Sequence, residues 1–154
     1  MHQTYRVHIF LGPFNGSTST WHTQDALVGT FAVFGKDPAT TGCGKCKTDA
    51  AAHVIITGTV PLTAGLRDEW KKGDLGSMDK ENVLPYLKEN LHWRVSLADG
   101  TDKRREEVPG LSVSVVTTEV EVGQGGRQRF SGVYEVHPEV TEGRPGGHSA
   151  GEQV

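Results

Sequence analysis

His92-Trp93-Arg94-Val95-Ser96-Leu97-Ala98 sets large apolar residues at 93, 95 and 97 against polar or small ones at 92, 94, 96 and 98, and ends on the turn pair Asp99-Gly100. A period of two is the mark of a pleated strand with one buried face, because successive side chains point to opposite sides. The same pattern recurs at the start of the chain, where Tyr5, Val7, Ile9 and Leu11 alternate with Arg6, His8 and Phe10 and stop at Gly12-Pro13. Leu27 to Phe34 reads as a strand with apolar residues on both faces: Leu27, Phe31 and Val33 on one, Val28, Thr30, Ala32 and Phe34 on the other. Val54 to Val60 is β-branched and nearly continuous, as a central strand would be. Leu111, Val113 and Val115 fall on odd positions but Val120 and Val122 on even ones, a slip that a β-bulge or a change of sheet accounts for. Phe130, Tyr134 and Val136 supply a last strand, paired across the turn Gly123-Gln124-Gly125-Gly126. These runs predict a mainly β fold, an antiparallel β-sandwich of jelly-roll type with about six or seven strands.

Two short helices interrupt the strands. Leu62, Leu66 and Trp70 share a face after the candidate cap Thr63, and Gly73 stops the segment. Asp79 caps a turn that runs through Leu84, and Pro85 restarts the segment Tyr86 to Leu91. At 154 residues the chain has the length of one domain. Residues 1–137 are assigned to the β-sandwich. Residues 138–154, Gly-rich, with two Pro and almost no large apolar residue after Val140, are assigned to a disordered tail that cannot offset its ordering entropy.

With 16 basic and 19 acidic side chains the formal charge is -3, which gives no electrostatic footprint for nucleic acid or an anionic membrane. The apolar runs, such as Val54-Ile55-Ile56, are too short to span a bilayer. The first residues, Met1-His2-Gln3-Thr4-Tyr5, show neither a basic nor an apolar signal region, which favours an intracellular location. No nucleotide, nucleophile-elbow or phosphate-loop fingerprint occurs, and no two of the seven histidines stand three or four apart as a helical metal pair would. His8, His92 and His137 lie on the polar parity of their strands and are expected to be mostly solvated surface residues.

The chemistry that remains is Cys43-Gly44-Lys45-Cys46. Two soft thiols two residues apart suit Cu(I), Zn²⁺ or a reversible disulfide. A closed zinc site would need two more ligands, and no second pair is present for it. Lys45 and Lys47 favour the thiolate form that binds metal or oxidises. An inert thiol pair, or a disulfide pinning a loop, stands as the alternative.

The order of several segments resembles the C-terminal domain of fungal tyrosinases and related polyphenol oxidases. The similar stretches are Tyr5 to Gly12, Leu27 to Gly35, Thr41 to Cys46, Thr57 to Thr63, Pro85 to Trp93 and Val108 to Leu111, which together cover Tyr5 to about Val122. The resemblance implies a non-catalytic domain that keeps a type-3 dicopper enzyme latent, with the tyrosinase catalytic domain as intramolecular partner. It implies an aromatic placeholder shortly before the CxxC, which Phe34, nine positions before Cys43, matches. It also implies transient copper binding at Cys43 and Cys46, in aid of loading the dicopper centre. A free-standing Cu(I) carrier related to that domain is the competing reading.

Overall fold

Strand β1 (Tyr5–Leu11) organises the first half of the computed structural model, which describes residues 4–35, 44, 48 and 55–151. The chain divides into two compact units, 1–109 and 110–154. In the first, β1 lies between β2 (Leu27–Val33) and β3 (Leu91–Leu97), with the short β4 (Asp102–Lys103) outside β3, giving an antiparallel sheet of order β2-β1-β3-β4. The β1–β3 ladder is unbroken from Tyr5↔Leu97 to Leu11↔Leu91, whereas the β1–β2 ladder shifts register at Ile9/Phe10.

The odd face of β1 presents Val7, Ile9 and Leu11 beside Val95, Trp93 and Leu91, all buried. Helix α1 (Thr63–Lys72) lies against Leu11 and Val28 at Gly65, where the absent Cβ lets it approach. Trp93 is fully buried and therefore core, with the guanidinium of Arg105 5.4 Å from its ring. On the even face, Phe10 stacks on Phe14 at 4.2 Å and meets Trp21 edge-on at 5.9 Å. Trp21 sits in a 3-10 segment (Thr18–Thr23), and its indole N–H donates to the Asn15 carbonyl at 3.0 Å. The Asn15-Gly16-Ser17 stretch is a turn, in which the Ser17 N–H donates to Asn15 Oδ1.

His8 departs from the expectation of a solvated surface residue. Its ring is buried, within 3.1 Å of Thr30 Oγ1 and 2.8 Å of Ser96 Oγ, and edge-on to Trp21. The cause is position: β1 is central and covered on both faces, so both parities are buried and a polar residue is kept only with partners. Burial, and secondarily the charge of Arg6, push the His8 pKa below its ordinary value of 6.5.

The expected central strand Val54–Val60 is also corrected. Its described residues, 55–60, form no strand and are largely exposed. A Cβ built on Gly58 would run into the Phe31 ring, and one on Gly29 would strike Val60, so this segment crosses the face of β2. β-branched residues favour extended backbone wherever it lies, and here no ladder partner is supplied. The second expected helix does not restart at Pro85; α2 (Lys80–Asn90) runs through it. Losing the Pro85 N–H costs one hydrogen bond, to the Glu81 carbonyl, while Val83 and Leu87 bury the helix face.

The second unit is built on the hairpin β5 (Val116–Val122) and β6 (Gln128–Val136), closed by the expected Gly-rich turn, with Gly123 N–H donating to the Arg127 carbonyl at 2.9 Å. The ladder shifts register between Thr118 and Val120, with the extra residues on β6. β5 keeps one parity from Val116 to Val122, so this shift is not what separates the odd positions 111–115 from the even ones. Leu111 to Val115 is not a ladder strand; Val113 forms an isolated parallel bridge with Gly147. Residues 138 onward, which composition assigned to a tail, begin with helix α3 (Pro138–Thr141) and bury Val140, Thr141 and His148. Few large apolar side chains suffice there because the backbone closes on itself, with Val113 N–H donating to the Gly146 carbonyl and His148 N–H to the Val113 carbonyl, each at 2.9 Å. His137 is buried as well, its Nε2 2.8 Å from Thr117 Oγ1 and its Nδ1 3.3 Å from Glu139. The mainly β, antiparallel class expected from the alternation is the one adopted, with six strands in sheets of four and two among the described residues.

Candidate functional site

Phe34 follows the last ladder pair of β2, Val33↔Tyr5, at an outer strand of the four-stranded sheet. The β2 backbone up to that pair is held by β1, and the next N–H, of Gly35, donates to Thr4 Oγ1 at 3.3 Å. The ring itself is 76% exposed. A phenylalanine this open contributes little to the core of the chain. The even parity that placed Phe34 with Thr30 and Ala32 does not bury it, because the sheet ends there.

Ile55 and Ile56 are exposed too. Residues 60 to 58 lie over 29 to 31 of β2, so the chain running back from Gly58 heads toward the Val33–Phe34 end of that strand. Sequence reasoning missed these isoleucines as surface residues because a β-branched run looks like core. The available signal was Gly58 in its middle, a poor strand residue.

Cys43 and Cys46 lie outside the described residues. Between and after them, Gly44 and Thr48 are helical and exposed, and the Thr48 hydroxyl donates to the Gly44 carbonyl at 3.2 Å. Among the described residues no three His, Cys, Asp or Glu side chains cluster to hold a metal ion. No helix among them is long and apolar enough to cross a membrane.

Two open grooves flank α1. One, of about 440 Å³, is lined by Leu11, Val28 and charged side chains of α1. The charges of α1 there are paired along the helix, Lys72 to Glu69 at 2.7 Å and Lys71 to Asp68 at 3.9 Å. In the other, Tyr86 donates its hydroxyl to Glu69 at 3.1 Å, and burial together with that carboxylate pushes its pKa up to about 12. A phenol so held is a structural hydrogen-bond donor rather than a proton carrier near neutrality.

Residues 1–115 match the family described as the tyrosinase C-terminal domain. A tyrosinase of Neurospora crassa is 43% identical over 152 residues, which is 99% of this chain and 22% of that protein. A tyrosinase of Podospora anserina is 46% identical over 70 residues, 43% of this chain and 12% of that protein. This chain therefore spans about a fifth of the length of the Neurospora relative. No solved structure matches it significantly.

Proposed function

Because this chain belongs to the tyrosinase C-terminal domain family, a family of non-catalytic domains, we propose that it shields the dicopper site of a tyrosinase catalytic domain, with Phe34 as the plug. The observation that carries the reading is the open Phe34 ring at the end of a strand fixed by its ladder. A phenyl ring fills a cavity shaped for a phenol, yet has no hydroxyl to ligate copper or be oxidised. The β1–β2 ladder and the Gly35–Thr4 hydrogen bond reduce the freedom lost when the ring enters an opening. Within one polypeptide, a linker raises the plug to an effective concentration near the millimolar scale, so weak contacts keep the site closed until the linker is cut.

Copper handling belongs to the same proposal. Cys43 and Cys46 form a donor set suited to Cu(I), which accepts two thiolates and is released to a site with more ligands. When bound, the ion would be supplied to the partner's centre; in this chain the cysteines' part is to hold it.

The test is to titrate the chain into a tyrosinase catalytic domain freed of its own C-terminal part, following oxidation of a monophenol. Inhibition should be competitive with the phenol, raising KM and leaving kcat unchanged. Full activity at high micromolar concentrations of the chain contradicts the plug.

A further inference from the structure

The hairpin β5–β6 separates its charges from its apolar residues. Directly opposed residues of an antiparallel ladder share a face. Val116↔Val136, Thr118↔Tyr134, Val120↔Phe130 and Val122↔Gln128 define one face, and Thr117↔Glu135 and Glu121↔Arg129 the other. Between the pairs Thr118↔Tyr134 and Val120↔Phe130, β5 advances two positions and β6 four, with Gly132 at φ 75° in the longer stretch. The excess is even, so the faces are kept across the irregularity. One side of the hairpin therefore carries Val, Phe and Tyr, interrupted only by Thr118 and Gln128, and the other carries Glu and Arg.

A single packed sheet buries such a face, but this one is open. Val122 is 69% exposed, Phe130 and Tyr134 60% each, and Val120 40%. Together they leave on the order of 500 Å² of largely apolar surface in water, a patch of the size that marks an interaction site. A two-stranded hairpin with both faces wet is marginal by itself, so a covering partner also stabilises it.

Two observations identify the partner. A symmetric dimer through this face would bury well under the roughly 800 Å² per partner of a stable interface, so a second copy is too weak an occupant. The hairpin lies beyond the 1–115 stretch common to the family, yet inside the 152 residues shared with the Neurospora crassa tyrosinase, most of whose length is not represented in this chain. A partner on the same polypeptide needs only a small patch, because the tether supplies the concentration. We propose that the apolar face of β5–β6, through Val120, Val122, Phe130 and Tyr134, is a docking surface for an apolar patch on the catalytic part of a tyrosinase, acting as an anchor independent of the Phe34 plug. This rests on the shielding role proposed above, and it divides that role between a residue that blocks and a face that holds.

The division is testable with this chain and a tyrosinase catalytic domain, reading binding by fluorescence anisotropy and inhibition by phenol oxidation. The double variant Val122→Glu, Phe130→Glu should bind at least tenfold more weakly, yet reach the same maximal inhibition once saturating. Glu121→Lys, on the opposite face, should bind as the unaltered chain does. Tyr134→Asn serves as a second variant should the double one lose its fold by circular dichroism, and it too should weaken binding. Unaltered binding by these hairpin variants, with the parent chain both binding and inhibiting, overturns the anchor and leaves the plug standing. A parent chain that neither binds nor inhibits overturns both. Concentration-dependent dimerisation in sedimentation, abolished by the hairpin variants, gives the face to a second copy and overturns the proposed partner.

Discussion

Replacing Phe34 by alanine separates a shielding role from a structural one. The ring is 76% exposed in the chain alone, so its removal should change the unfolding free energy by no more than about 0.5 kcal/mol. Inside an opening that encloses it, the same ring would lose about 150 Å² of apolar surface to burial, taking roughly 200 Å² for a whole phenylalanine side chain. At about 25 cal/mol per Å² that is about 4 kcal/mol, an upper figure. Ordering the side chain and its backbone takes back about 1 kcal/mol. The remaining 3 kcal/mol or so corresponds to roughly a hundredfold in affinity. Phe34→Ala should therefore raise the inhibition constant against a tyrosinase catalytic domain by one to two orders of magnitude, with an unchanged urea midpoint. Equal inhibition constants for the two chains, or a large loss of stability in the variant, would refute the reasoning.

Three other outcomes follow from the structure and the donor set. The chain should bind about one Cu(I), measured by competition with a colorimetric chelator, and Cys43→Ser with Cys46→Ser should abolish that binding. His8 should make stability fall on acidification: its folded pKa lies below 6.5, so the unfolded chain takes the proton first. Its contribution is whole above about pH 6.5 and declines as pH drops toward the lowered folded value, so the urea midpoint should drop between pH 7 and pH 5, and less so in His8→Gln. Gly147→Ala should destabilise the 110–154 unit by about 1–3 kcal/mol, because a Cβ there meets the Thr141 carbonyl and comes within 2.9 Å of that of Arg144; unchanged hydrogen exchange at His148 and Val113 would contradict it.

Alternation carried the strands that it describes. At 5–11 and 92–97 the expected strands lie in the ladder, and the parity slip after Val115 marks the point where the irregular 111–115 stretch gives way to β5, whose own residues keep even parity. What alternation cannot express is how many layers cover a strand. His8 and Phe10 share the parity of Arg6, and only the neighbours of β1, two strands and the Trp21 segment, bury them. Composition misled where tertiary context decides: the β-branched run at 55–60 crosses a sheet face, and 138–151 closes through backbone hydrogen bonds rather than side-chain volume. For the candidate site, Phe34 was expected to protrude at its strand end and is exposed, although parity alone could not decide this, since a strand-end aromatic is equally at home in a core. The apolar parity of Val120, Val122, Phe130 and Tyr134 was legible, but not that the face would be left open.

The most direct measurement places a photo-crosslinking phenylalanine analogue at position 34 and irradiates the chain mixed with a tyrosinase catalytic domain. The account predicts adducts on peptides lining the opening above the two coppers, lost when a phenol-like competitive inhibitor is added. Adducts scattered over the surface, or unaffected by the competitor, would contradict it.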